Sequence, residues 1–132
     1  MARPGRRRVA VTGLGVVSCC GIGNDAFFAG LSAPAPVGEH RVYDFDPSPF
    51  FDVKQARRAD RFQQFSVASA QMALDDAGNL DVDPGRAGVI FGTGVGGLET
   101  LQEQITVLVP KGARRVSPFL VPMMMANAGA AA

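Results

Sequence analysis

Few side chains in this sequence have the chemistry of a catalyst. The thiols are Cys19 and Cys20, adjacent in the chain, and the single imidazole is His40. A reactive thiolate needs a cation, an imidazolium or a helix N-terminus beside it to lower its pKa. No such partner is readable near the pair, so both read as small residues filling a turn. His40 stands among Pro34, Pro36, Pro47 and Pro49 and reads as a solvated loop residue rather than a general base. One His and two Cys exclude a His-rich metal site and a disulfide framework. The adjacent, unpaired cysteines suggest a reducing compartment.

Two glycine segments imitate a dinucleotide loop. Gly13-Leu14-Gly15 lacks the third glycine, which is Ser18, whereas Gly92, Gly94 and Gly97 complete the spacing between a strand pattern and a helix pattern. Such glycines let backbone N–H groups approach a phosphate at a helix N-terminus. The fingerprint also needs an acid about 20 residues on, and no acid follows Glu103. The competing reading is close strand–helix packing or the lining of a substrate pocket.

Lys54, Arg57, Arg58 and Arg61 fall at i, i+3, i+4 and i+7. On a continuous helix they form one cationic stripe suited to a compact acidic partner. Asp60 with Gln63 also reads as a helix start, which would place residues 54–58 ahead of that helix. From the residues alone, an ordinary solvated face stands beside the docking reading.

The elements that must position these groups alternate in type. Arg7 to Gly13 reads as a buried strand that Val16-Val17-Ser18 could extend, and Ala87 to Phe91 as a second. Asn24 or Asp25 caps a short helix to about Gly30, and residues 32–53 are loop-like. Asp60 to Ala77 is the strongest helix, with Phe62, Phe65, Ser69, Met72, Ala73 and Ala77 on one stripe and Gly78 as its stop. Val67, Ala70 and Leu74 widen its apolar face, so burial on two sides is expected. Asp81 to Arg86 is a turn, Leu98 to Val109 a helix ended by Pro110-Lys111-Gly112, and a small-residue helix starts near Met123. The order suggests α/β layers with parallel strands.

The whole composition bounds the answer. The 132 residues, 47% hydrophobic and 19% charged, fit one domain's worth of chain and argue against disorder. A net charge of +1, no Trp and one Tyr leave neither a basic field nor a stacking surface for nucleic acid. Arg6-Arg7-Arg8 before an apolar run, and Val16-Val17-Ser18-Cys19, loosely resemble an export signal, but Thr12, Gly13 and Gly15 break that run. Val116 to Ala132 carries no charge. It is too short and too often interrupted to span a membrane, and reads as a chain cut through a core.

Taken in order, the segments resemble the β-ketoacyl-[acyl-carrier-protein] synthase II family, the elongating condensing enzymes of the thiolase superfamily. RRVAVTGLGVVS at 7–18 is similar to the opening strand and turn, and Phe45-Asp46-Pro47-Ser48 to the FD-x-S segment. DRFQQFSVASAQMALDDAG at 60–78 is similar to the first long helix, and GVIFGTGVGGLETLQEQ at 88–104 to the strand, glycine loop and helix. Arg114 to Pro122 resembles RK-x-SPFFVP, and Asn127 with its alanines the next buried helix. The departures are a shortened segment between Leu31 and Asp46 and the Cys19-Cys20 pair.

The resemblance implies a layered αβαβα thiolase-like fold, of which residues 1–132 are part of the N-terminal half. It implies decarboxylative Claisen condensation of an acyl-enzyme with malonyl-carrier protein, in a cytoplasmic homodimer. Lys54, Arg57 and Arg58 fall on the family's basic positions for acyl carrier protein. Val95 falls on a hydrophobic gate of the acyl pocket, and Leu120 in the region where the second subunit lines it. The nucleophilic Cys and the two His of the family are expected beyond Ala132, so no catalytic residue is expected in this chain. Rival readings are a chain-length-factor-like paralogue without the nucleophile and a small carrier-binding module.

Overall fold

The computed structural model describes residues 8–34, 37–38 and 40–132. The arginine-rich flank (Arg3, Arg6, Arg7), the first residue of the expected opening strand and Pro36 lie outside the described residues.

The first element is a tight hairpin. β1 (Val17–Ser18) pairs antiparallel with β2 (Gly21–Ile22), and Cys19 and Cys20 form its turn. The Ser18 hydroxyl donates to Gly21 O at 3.1 Å and accepts from Cys20 N–H at 3.1 Å. α1 (Asn24–Leu31) folds back onto the hairpin. Gly30 allows this approach, because a Cβ there would strike the Cys20 carbonyl.

α2 (Val53–Ala56) is a single turn held by a capping box. Asp52 Oδ1 accepts from Lys54 N and Gln55 N, both at 2.7 Å, and Gln55 Oε1 accepts from Asp52 N at 2.9 Å. α3 (Arg61–Ala77) starts at the cap Asp60 and stops at Gly78, whose φ of 70° favours glycine. The Gln64 amide donates to Ala56 O at 2.9 Å and Ala59 O at 3.2 Å, bracing the break between α2 and α3.

α3 is the central element. Segment 13–15 crosses it so closely that a Cβ on Gly13 or Gly15 would strike the carbonyl of Ala73 or Ser69. Asp76 Oδ2 accepts from Leu14 N at 2.8 Å, and the Asn24 amide donates to Leu14 O at 2.9 Å. On another side Phe65 meets Phe45 edge-on at 5.0 Å, and Phe62 lies 6.2 Å from Phe91. Ser66 and Ala68 are buried. The expected stripe therefore does pack, whereas the widening of the apolar face fails at Ala70 and Leu74, which are exposed.

α4 (Leu98–Lys111) carries Glu99 in its first turn and Lys111 in its last, each complementing the helix dipole. It runs two residues past the expected end because Pro110 is tolerated in the final turn. α5 (Leu120–Met124) precedes a 3₁₀ turn at Ala126–Gly129, so helix begins earlier than Met123 and is shorter than expected.

The expected parallel layer does not form among the described residues, where the hairpin is the one sheet. Residues 8–13 and 87–91 carry strand sequences yet make no ladder; Val89 is 70% exposed and Ile90 fully so. A strand is defined by its neighbour, and no described segment offers either one an edge.

Candidate functional site

The basic residues do not form one stripe. α2 ends at Ala56 and α3 begins at Arg61, so Lys54, Arg57 and Arg58 sit on a one-turn helix and the bend after it. Arg61 leaves the group: it donates to Val42 O and lies over the Phe65 ring. Lys54, Arg57 and Arg58 are exposed. Arg58 is committed differently from the other two, with its guanidinium 4.4 Å from the centre of the Phe119 ring, a cation–π contact. Lys54 and Arg57 make no recorded side-chain bond among the described residues.

Asp60 shows why the bend is fixed. It is 4% exposed, and its two oxygens accept from Phe62 N at 3.0 Å and Thr100 N at 2.9 Å. One carboxylate thus caps α3 and ties down the first turn of α4. The cap was legible in the sequence. The bond to Thr100, 40 positions away, was not.

Val95 and Leu120 belong to elements that touch. Val95 lies in the glycine loop and is 61% exposed; Leu120, half-buried, begins α5. Gly97 N–H donates to Met124 O at 3.1 Å. A Cβ on Gly97 would strike Met123 O, and one on Gly96 would strike Met124 O. These two glycines serve helix-to-loop packing, the competing reading to a phosphate cradle. No Val95–Leu120 contact is recorded. A cleft of about 540 Å³ lies elsewhere, between residues 40–43 and the starts of α3 and α4. It is lined by His40, Asp60, Arg61 and Glu99 but by neither Val95 nor Leu120.

Cys19 is exposed and Cys20 half-buried. Partial desolvation, with a smaller contribution from the Cys19 thiol, pushes the Cys20 thiol above its ordinary value. That shift works against a nucleophile. No group of three or more potential metal ligands occurs among the described residues.

A smaller recess lies beside the basic residues. It is about 300 Å³ and is lined by Pro47, Ser48, Phe51, Val53, Ala56 and Arg57. Nothing in the sequence pattern marks it, because it forms where the loop at 47–51 meets α2.

Residues 32–132 match the family described as beta-ketoacyl synthase, N-terminal domain. The chain is 38% identical to 3-oxoacyl-[acyl-carrier-protein] synthase 2 of Synechocystis, over 96% of this chain and 35% of the relative. It is 32% identical to the chloroplastic 3-oxoacyl-[acyl-carrier-protein] synthase I of Hordeum vulgare, over 96% and 32%. The fold is similar to a chain of the solved complex of a type II PKS acyl-carrier protein with its ketosynthase bound to the hexaketide. The TM-score is 0.76 at 22% identity, over 92% of this chain and 37% of that one. The chain thus spans about a third of the length of the relatives it matches.

Proposed function

The chain belongs to the beta-ketoacyl synthase family, and we propose that it contributes the carrier-docking surface and part of the acyl pocket to a 3-oxoacyl-[acyl-carrier-protein] synthase of its relatives' length. The reaction is fatty-acid elongation: a cysteine thioester holds the acyl group. Malonyl-carrier protein loses carbon dioxide, and the resulting carbanion attacks the thioester carbonyl. The new C–C bond forms as the cysteine sulfur leaves. Two histidines assist decarboxylation and stabilise charge on the thioester oxygen. Cys19, Cys20 and His40 take none of these roles. The complete protein has the layered αβαβα fold, with the nucleophile beyond Ala132, and acts as a cytoplasmic homodimer without cofactor.

The observation that carries the docking reading is the pair Lys54 and Arg57, exposed on a rigidly capped turn with no recorded bond among the described residues. A carrier protein presents an acidic helix, so encounter is steered by charge and weakened by salt. Val95 and Leu120 are assigned to the acyl pocket by the family positions they resemble, and the packing of the glycine loop on α5 is the observation that supports keeping them together.

The test is charge reversal. Changing Lys54 and Arg57 together to Glu should lower the apparent affinity of the full-length enzyme for carrier protein about tenfold, or about 1.4 kcal/mol. Turnover of a small thioester lacking the carrier should stay near that of the parent. Equal loss on both substrates would make the patch structural, and loss on neither would make it an ordinary solvated face.

A further inference from the structure

Cys19 and Cys20 depart from the pattern the rest of the chain resembles, and the fold presents them together. They are the two turn residues between β1 and β2. Neither has a positive φ, so the turn is made without backbone strain. The Ser18 hydroxyl spans it, accepting from Cys20 N–H and donating to Gly21 O. Behind it the chain is seated on α1, with the Cys20 carbonyl against Gly30 and Gly21 against the backbone of Ala26. A turn fixed in this way loses little conformational entropy when its side chains are engaged.

The two thiols interact with each other. Cys19 is exposed and Cys20 half-buried, and both border a cavity of about 450 Å³ shared with Ile22, Tyr43 and Asp44. Adjacent thiols have few options. A direct disulfide is disfavoured, because neighbouring Cα atoms stand about 3.8 Å apart, below the roughly 4.4–6.8 Å usual for a bridge. A structural zinc ion needs four ligands, and no group of three or more potential ligands occurs among the described residues. A soft centre satisfied by two sulfurs and one substituent of its own meets both limits. It sets an atom between the sulfurs, which relieves the short span. Trivalent arsenic is such a centre.

We propose that Cys19 and Cys20 form a chelating dithiol site for trivalent arsenicals, with the arsenic substituent in the cavity beside Tyr43. The inference is independent of the docking and pocket readings above. With an aryl arsenoxide, two As–S bonds form as arsenic gives up its oxygen, and that oxygen leaves as water with the two thiol protons. Arsenic stays trivalent, so the step needs neither oxidant nor reductant. The Cys20 thiol, held protonated by its surroundings, supplies one of those protons.

The test exposes the full-length enzyme to phenylarsine oxide, washes it with excess mercaptoethanol and maps the tryptic peptides by mass. Both thiols fall in the peptide of residues 9–41, which ends at Arg41. That peptide should gain one phenylarsenic group in place of two hydrogens, and the competing dithiol dimercaptopropanol should remove it. Cys19→Ser and Cys20→Ser should each lower retention about a hundredfold, the advantage of a second bond made within one molecule. Cys20→Ala repeats that arm should the serine variant melt early. A lone thiol elsewhere, the expected nucleophile included, gives an adduct that the monothiol strips, so failure here leaves the condensing-enzyme reading untouched. An adduct on this peptide that mercaptoethanol removes, or undiminished retention in either single variant, overturns the chelate. Labelling that appears only after unfolding in urea also overturns it, because the turn would then hide the thiols rather than present them.

Discussion

The Asp60 carboxylate accepts from one helix's first turn with each oxygen, from Phe62 N in α3 and from Thr100 N in α4. Removing it leaves a buried N–H without a partner as well as an uncapped helix. Asp60→Ala should therefore destabilise the protein by about 2–3 kcal/mol, well beyond an ordinary cap. Asp60→Asn, which keeps one acceptor oxygen, should lose less. Denaturant midpoints would check the order, and equal losses would mean that one of the two bonds contributes nothing. At this scale the sequence was informative where chemistry is local. Asp60 as a cap and Gly78 as a stop are both written in neighbouring residues. Arg61 shows the limit: its spacing placed it on a cationic stripe, and only the bend after Ala56 sends it to Val42 O instead.

Among the elements, close approach rather than ligand binding explains the tightest glycines. Gly97 lies against the backbone of α5, whereas a Cβ on Gly92, in the same loop, would meet nothing within 4 Å. Gly97→Ala should cost about 2–3 kcal/mol through overpacking against a carbonyl that cannot rotate away. Gly92→Ala should be neutral or gain up to about 1 kcal/mol by restricting the unfolded chain. Thermal melts of the two variants would separate packing from a general need for glycine, and equal losses would contradict the packing account. Helices α1, α3 and α4 were legible because their apolar spacing and the breakers beside them are local, but the expected cap of α1 was wrong: Gly23 stands at its N-cap with no side-chain bond, and Asn24 is inside the helix with its amide on Leu14 O. The strands at 8–13 and 87–91 were read from composition, and composition does not supply a partner edge. One-turn α2 was missed because four residues carry no periodicity; the Asp52–Gln55 box was its one available signal.

For the molecule as a whole, the open strand segments dominate the surface. Val9, Val11, Val89 and Ile90 are largely exposed, and the chain is a third as long as its relatives. Exposed apolar side chains in such number promote association. The 132-residue chain alone should bind an apolar dye such as anilinonaphthalene sulfonate strongly, and replacing Val89 and Ile90 with Thr should reduce the signal. Weak dye binding by the parent chain would show that these segments are covered in solution. The contact between Arg58 and Phe119 bears on how such a surface can change over generations. On the docking reading proposed above, Lys54 and Arg57 can be exchanged with only partner choice at stake, so recognition can drift there. Arg58 also shields an aromatic ring at the entrance to α5, so a change of sign at that position would disturb packing along with recognition. The surface therefore has two free letters and one that the fold itself constrains.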